Sequence, residues 1–291
     1  MSWLFKSKPN PSPEKIANQK WENYGRCLIT EQKRPNAVMR LFCFPYAGAS
    51  ASVFLNGWSK TLPPQIEYIS IQLPARSTRI DDPVSTDMRT LAKEIVKEMA
   101  PLVAQDGTPF AIYAHSLGTL VAWEVAHELK RMKLAMPKYL LFSGRGAPAT
   151  QQPFNDRIDF KLPDKEFAQV CISQFGPSPG LVDKQMWPLT LPPLRNDIEL
   201  FYSYTKPRMR ALRVPICVWG ADGDPISVSS QIETWETFTT QAFTTRSLPL
   251  ASHQFSSHPT FLKSLTEYLT ALIVQCRKER LERDADLEFT T

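Results

Sequence analysis

The chain has 291 residues, 43% of them apolar and 22% charged, with 25 prolines and 11 glycines. Pro and Gly together make up roughly 12%, far below the roughly 25–30% of low-complexity chains, so a disordered or fibrous protein is excluded. A formal charge of +5 spread over dispersed Lys and Arg offers no basic stripe with interleaved aromatics for nucleic acid, and no apolar run reaches the roughly 18–20 residues of a membrane span.

Residues 1–36 are polar and carry Pro9, Pro11, Pro13 and Pro35; they are expected to form a loosely ordered arm with one short helix around Glu14 to Tyr24. The first 25 residues build no secretory apolar segment, which points to a cytoplasmic location. From residue 37 the character changes. Val38 to Phe44 is a short apolar run closed by Pro45, and similar runs recur at Ile66 to Leu73, Phe110 to Tyr113, Tyr139 to Ser143, Val214 to Trp219 and Phe243 to Leu248. These read as buried strands. Between them, Met88, Leu91, Ile95, Met99 and Leu102 fall at helical steps, and Leu117 to Met132 is apolar on more than one face. The alternation predicts an α/β fold: a mostly parallel sheet with helices on both faces, because parallel neighbours need a crossover that must bury its own apolar stripe.

One stretch interrupts the alternation. Residues 147–207 hold helical pieces at Asp164 to Phe175 and Leu194 to Tyr204 among many prolines, more than a connection needs, and are expected to form a helical lid whose Phe154, Phe160, Phe167, Phe175, Trp187 and Leu191 line or cover a channel. A last amphipathic helix runs from Pro259 to about Leu281. The main domain is thus expected over 37–282, and 283–291 as a frayed charged tail. The five cysteines are odd in number and set in apolar runs, as reduced core residues are. There is no Cys-x-x-Cys and no clustered His, so neither a metal nor another cofactor is expected.

The sharpest local signal is Phe110-Ala-Ile-Tyr-Ala-His-Ser-Leu-Gly118, a strand running into a helix through a small-x-Ser-x-small turn. Such a turn exposes the serine hydroxyl, here Ser116, and small residues on either side let strand and helix approach. A serine needs a base. Of His115, His127, His253 and His258, His253 follows the last strand, where a loop returns to the sheet edge, and is preferred over His258. The base needs an orienting carboxylate, and the loop after the preceding strand offers Asp222 and Asp224, of which Asp224 is favoured and Asp222 is the turn former. The order Ser, Asp, His is that of a nucleophile-elbow hydrolase. Oxyanion donors are expected from the amide of Leu117 and from the loop Phe44-Pro-Tyr-Ala-Gly-Ala-Ser50, at Ala47.

Leu41 to Gly48, Ile71-Gln-Leu-Pro-Ala-Arg76, the elbow, Ser143-Gly-Arg-Gly-Ala-Pro148, Leu191-Pro-Pro-Leu-Arg-Asn-Asp197, Gly220 to Asp224 and His253 together resemble the type II thioesterase family over about residues 38–275. The resemblance implies an α/β-hydrolase fold with a lid, and hydrolysis of acyl groups from the phosphopantetheine arm of acyl or peptidyl carrier proteins in nonribosomal peptide, polyketide or fatty-acid synthesis, by a monomer acting through an acyl-serine. The family pattern usually has His at Tyr46, which is therefore expected in the substrate pocket, and Gly at Ala49, Ala75 and Ala114. The triad residues alone leave open an esterase or lipase of small oxygen esters, or a hydrolase-fold protein that binds without turnover.

Overall fold

The computed structural model describes residues 21–288 except 56, 105–106, 150–156, 225 and 251. Strands β1 (Glu22–Asn23), β2 (Leu28–Thr30), β3 (Met39–Phe44), β4 (Ile66–Ile71), β5 (Phe110–His115), β6 (Leu140–Ser143), β7 (Ile216–Ala221) and β8 (Phe243–Leu248) form one sheet in the order β1-β2-β4-β3-β5-β6-β7-β8. From β4 to β8 every pairing is parallel; β1 and β2 are antiparallel additions at one edge.

Successive side chains of the central strands enter opposite cores. Phe42 and Phe44 of β3, Ile112 of β5 and Val218 of β7 meet α3 (Met88–Ala104) and α4 (Leu117–Arg131), joined by Ile232 of α8 (Ser229–Ile232), Trp235 and Phe238. Leu41, Tyr113 and Trp219 meet the opposite layer: α1 (Ser52–Leu55), α2 (Trp58–Thr61) and α9 (Pro259–Glu288). Burial on both faces explains why these strands read as continuous apolar runs and not as alternation. Because parallel strands all point one way, the loops after β3, β5, β6, β7 and β8 gather at one sheet edge.

The structure corrects the expected arm at its inner end. Tyr24 lies in no helix, and Glu22–Asn23 and Leu28–Thr30 belong to the sheet: Leu28 and Ile29 pair with Ile71 and Ser70. Leu28 enters the α3 and α4 core, while Ile29 packs with Ala51 and Leu55. The Cys27 amide donates to the Glu98 carboxylate at 2.7 Å, and the Tyr24 hydroxyl donates to Glu67. A three-residue strand is too short to show a period, so the polar surroundings hid it. Glu14 to Lys20 lie outside the described residues.

Two helices are longer than expected. Trp187–Ser203, labelled α7, runs as one helix through Pro192 and Pro193; burial of Leu191, Pro193, Leu194, Ile198 and Leu200 overrides the lost hydrogen bonds. The last helix, α9, continues past Leu281 to Glu288. Among the described residues no helix is long and apolar enough to cross a membrane.

If β2 is part of the sheet, Leu28→Ala should destabilise the protein by about 2–5 kcal/mol, as a fully buried leucine does. The urea midpoint measures this; a loosely attached arm would give a change below about 0.5 kcal/mol.

Candidate active site

Ser116 stands between β5 and α4 with φ 53° and ψ −120°, a conformation that a residue with a Cβ adopts only when its surroundings impose it. The surroundings are tight. A Cβ on Gly118 would lie 2.5 Å from the Phe44 carbonyl oxygen and 2.6 Å from that of Pro45, so glycine there lets α4 start directly against the end of β3. Ala114 is buried inside β5 with no positive φ, and its methyl joins the core, which explains why alanine serves at that position. Ala75 differs: its φ is 59°, the left-handed region where glycine is at ease.

The loops after β7 and β8 bring Asp224 and His253 to this serine. His253 Nε2 lies 2.8 Å from Ser116 Oγ and its Nδ1 lies 2.9 Å from Asp224 Oδ2. Asp224 is buried and also accepts the Ile226 amide at 2.8 Å and the Ser227 hydroxyl. Burial alone would raise its pKa, but the His253 hydrogen bond and charge, with the Ser227 and Ile226 donors, outweigh that and hold the carboxyl below its usual range. With Nδ1–H given to the carboxylate, Nε2 is left to accept the serine proton.

The other candidates lie elsewhere. Asp222 is exposed, accepts the Ser247 hydroxyl, and through its amide bonds the Leu248 carbonyl. His258 precedes α9, where its Nδ1 accepts the Thr260 amide at 3.2 Å. His127 packs inside α4 against Trp123, ring centroids 4.7 Å apart.

His115, next to the serine along the chain and not marked out by its sequence, backs the site. Its Nε2 lies 2.9 Å from the His253 carbonyl oxygen and its Nδ1 2.8 Å from Ser143 Oγ, which is 2.8 Å from the Tyr113 hydroxyl. A carbonyl can only accept, so Nε2 carries the proton and Nδ1 accepts from Ser143. The chain of donors runs Tyr113 to Ser143 to His115 to the His253 backbone. A Cβ on Gly144, whose φ is 67°, would lie 2.6 Å from the His115 ring, and Phe255 and Tyr46 meet that ring edge-on at 5.0 and 5.8 Å. Tyr46 is therefore beside His115, one ring removed from His253, and burial raises its hydroxyl pKa.

The Leu117 amide opens α4, where the helix supplies no acceptor. Among the described residues no acceptor pairs with it or with the Ala47 amide. Ala47 is half-buried and touches both the main core and a separate cluster formed by the inserted segment. That segment comprises α5 (Asp164–Phe175), α6 (Pro179–Val182) and α7. Phe167 and Leu191 are consumed in its own core, with Cys171, Leu194 and Ile198, and so do not line a channel. Phe160, Phe175 and Trp187 are half-buried, and the Phe175 ring lies 6.1 Å from that of His253. Phe154 lies outside the described residues.

The model of the thioesterase domain family matches residues 39–271. The gramicidin S biosynthesis protein GrsT of Aneurinibacillus migulanus is 35% identical over 208 residues, 71% of this chain and 79% of that protein. The thioesterase PikA5 of Streptomyces venezuelae is 32% identical over 213 residues, 73% of this chain and 74% of that protein. Among solved structures, the RedJ thioesterase of the prodiginine pathway of Streptomyces coelicolor superposes with a TM-score of 0.70 at 31% identity, covering 80% of this chain and 85% of that one. The strand order and these matches lead to one conclusion: the chain belongs to the thioesterase domain family and is a thioester hydrolase of the α/β-hydrolase fold.

Proposed function

We propose that this enzyme removes acyl groups from the phosphopantetheine arm of acyl or peptidyl carrier proteins during nonribosomal peptide or polyketide synthesis. The observation that carries the chemistry is the unbroken hydrogen-bond chain from Ser116 through His253 to Asp224. The biosynthetic pathways named for GrsT and RedJ, together with the thioesterase activity named for PikA5, support the substrate class, and a net charge of +5 suits acidic carrier domains. The five cysteines, buried and without disulfides, support a reducing cytoplasmic setting.

In this reading Ser116 Oγ attacks the thioester carbonyl carbon as His253 Nε2 takes its proton. The tetrahedral oxyanion receives the Leu117 and Ala47 amides. Collapse breaks the carbon–sulfur bond and His253 returns the proton to the departing thiolate, leaving acyl-Ser116. Water, deprotonated by His253, then attacks the ester and releases the carboxylic acid and the free serine. Asp224, ionised throughout the neutral range, holds the imidazole in the required tautomer and stabilises its cation. The half-buried aromatics of the inserted segment bound the acyl path, and Tyr46 shapes its wall.

Carrier-bound acyl thioester should be hydrolysed far faster than a simple oxygen ester of the same acyl group; equal rates would make this a general esterase. Ser116→Ala should lower turnover by roughly 10⁴–10⁶ and abolish labelling by a fluorophosphonate. Asp224→Asn should lower it by about 10⁴, while Asp222→Asn stays near wild type; the reverse order would move the acid to Asp222.

Stability should also carry the mark of the buried histidines. Burial, and secondarily the neighbouring His253, hold the His115 pKa well below its usual 6.5, and burial with Arg208 lowers His127 to about 4. Below the ordinary value the unfolded chain takes up protons that the native state refuses, so stability falls with pH. The urea midpoint should hold above about pH 7 and decline toward about pH 5, with a shallower decline in His115→Gln.

A further inference from the structure

A buried ion pair outside the triad ties the inserted segment to the loop after β4, and its carboxylate also bonds the loop that carries Ala47. Arg76, in the loop after β4, and Asp197, in the middle of α7, have side chains only 5% and 4% exposed. Arg76 Nη1 and Nη2 donate to Asp197 Oδ2 and Oδ1, both at 2.6 Å. Asp197 Oδ2 also accepts the Gly48 amide at 2.7 Å. Arg76 Nη1 reaches the Ala49 carbonyl at 3.3 Å, and Gln72 accepts the Ala51 amide at 3.1 Å while donating to the Arg76 carbonyl at 3.3 Å. The loop is thus held at Gly48, Ala49 and Ala51 in turn. Gly48 has φ 76°, and a Cβ there would lie 3.0 Å from the Leu194 side chain, so α7 presses directly on the residue following Ala47.

Anchoring α7 would need only the ion pair. The third bond, from the Gly48 amide, goes to a residue of the oxyanion loop and is the feature that packing alone does not account for. With the Gly48 plane fixed, only the φ and ψ of Ala47 separate it from the plane that carries the Ala47 N–H, and sterics limit those two torsions; that second plane is closed on the same turn, its Tyr46 carbonyl accepting the Ala49 amide at 3.1 Å. We propose that Asp197 is a positioning residue for thioester hydrolysis: its carboxylate, held by Arg76, fixes the Gly48 amide and thereby aims the Ala47 amide at the oxyanion. The proposal rests on the reading of Ala47 as an oxyanion donor. It makes the seating of α7 and the assembly of the oxyanion hole a single event, since one carboxylate serves both.

The test compares two double variants in one background. Removing both charges avoids a buried unpaired ion, a replacement that folded proteins tolerate. Arg76→Met with Asp197→Leu lacks any acceptor for Gly48; Arg76→Met with Asp197→Asn retains a carbonyl oxygen of the same reach. Near-ultraviolet circular dichroism reports which variants keep native packing, and each of those is assayed with an acyl-N-acetylcysteamine thioester. Two inhibitors accompany it: an alkyl trifluoromethyl ketone, which forms an oxyanion on Ser116, and an S-alkyl thioether, which does not. For the leucine variant we expect kcat to fall about 10–100-fold, a part of the 10²–10³ that a full oxyanion donor supplies, with KM little changed. Trifluoromethyl ketone affinity should fall in proportion to kcat/KM, and thioether affinity should not move. The asparagine variant should recover most of the loss. Parallel weakening of both inhibitors, or equal kcat in the two double variants, would reduce Asp197 to a lid anchor and overturn the proposal. Ser116→Ala serves as the control for the underlying site: if it still turns over, the triad reading fails, whereas an inactive Ser116→Ala beside fully active Asp197 variants defeats this inference alone.

Discussion

The backbone of Ser116 is the constraint on which the rest of the site depends. A non-glycine residue at φ 53° stores roughly 1–3 kcal/mol of strain and persists only where packing on both sides leaves no alternative. Here β5 is locked between β3 and β6, the Ser116 amide donates to the Ser143 carbonyl at 2.9 Å, and α4 is pressed on the carbonyls of Phe44 and Pro45 through Gly118. The core under Trp123, Phe142 and Trp235 holds that geometry. The outcome is a half-buried hydroxyl at the first turn of a helix, where the helix leaves the Leu117 amide without an acceptor.

Around that point the polar groups form two hydrogen-bonded chains that meet at His253. One runs along its side chain, from Ser116 to Asp224 and on to the Ser227 and Ile226 donors. The other ends on its backbone carbonyl and comes from Tyr113 through Ser143 and His115. Each buried donor in these chains has an acceptor, which lets a polar cluster rigidify the site instead of weakening it. A parallel sheet supplies the economy of the arrangement: β5, β6, β7 and β8 deliver their loops to one edge, so residues from four distant stretches of chain need only short excursions to meet.

The inserted segment has its own small core and two contacts at the candidate site, the Phe175 ring 6.1 Å from that of His253 and the Asp197 carboxylate on the Gly48 amide. It is therefore more than a cover. Its internal packing consumes Phe167 and Leu191 and leaves Phe160, Phe175 and Trp187 half-buried, which is the distribution that an element with both a structural and a contact face requires.

What the sequence determined by itself was whatever depends on neighbours along the chain. Apolar runs separated by helical periods specify a doubly covered parallel sheet, and the small-x-Ser-x-small turn marks Ser116, because periodicity and turn chemistry are local. Chain order narrowed the carboxylate to Asp222 or Asp224, two residues apart on one turn, but only the folded loop decided which of them faces His253 and which bonds the exposed Ser247 hydroxyl. The short strand Leu28–Thr30 carried too few residues to show a period, and the unbroken helix through Pro192 and Pro193 contradicts local propensity; both exist because tertiary burial outweighs local preference. His115 and the Arg76–Asp197 pair were invisible for a deeper reason. Their partners stand 138 and 121 residues away, and a hydrogen bond between such positions is defined by the geometry of the closed sheet edge, which no window of sequence contains.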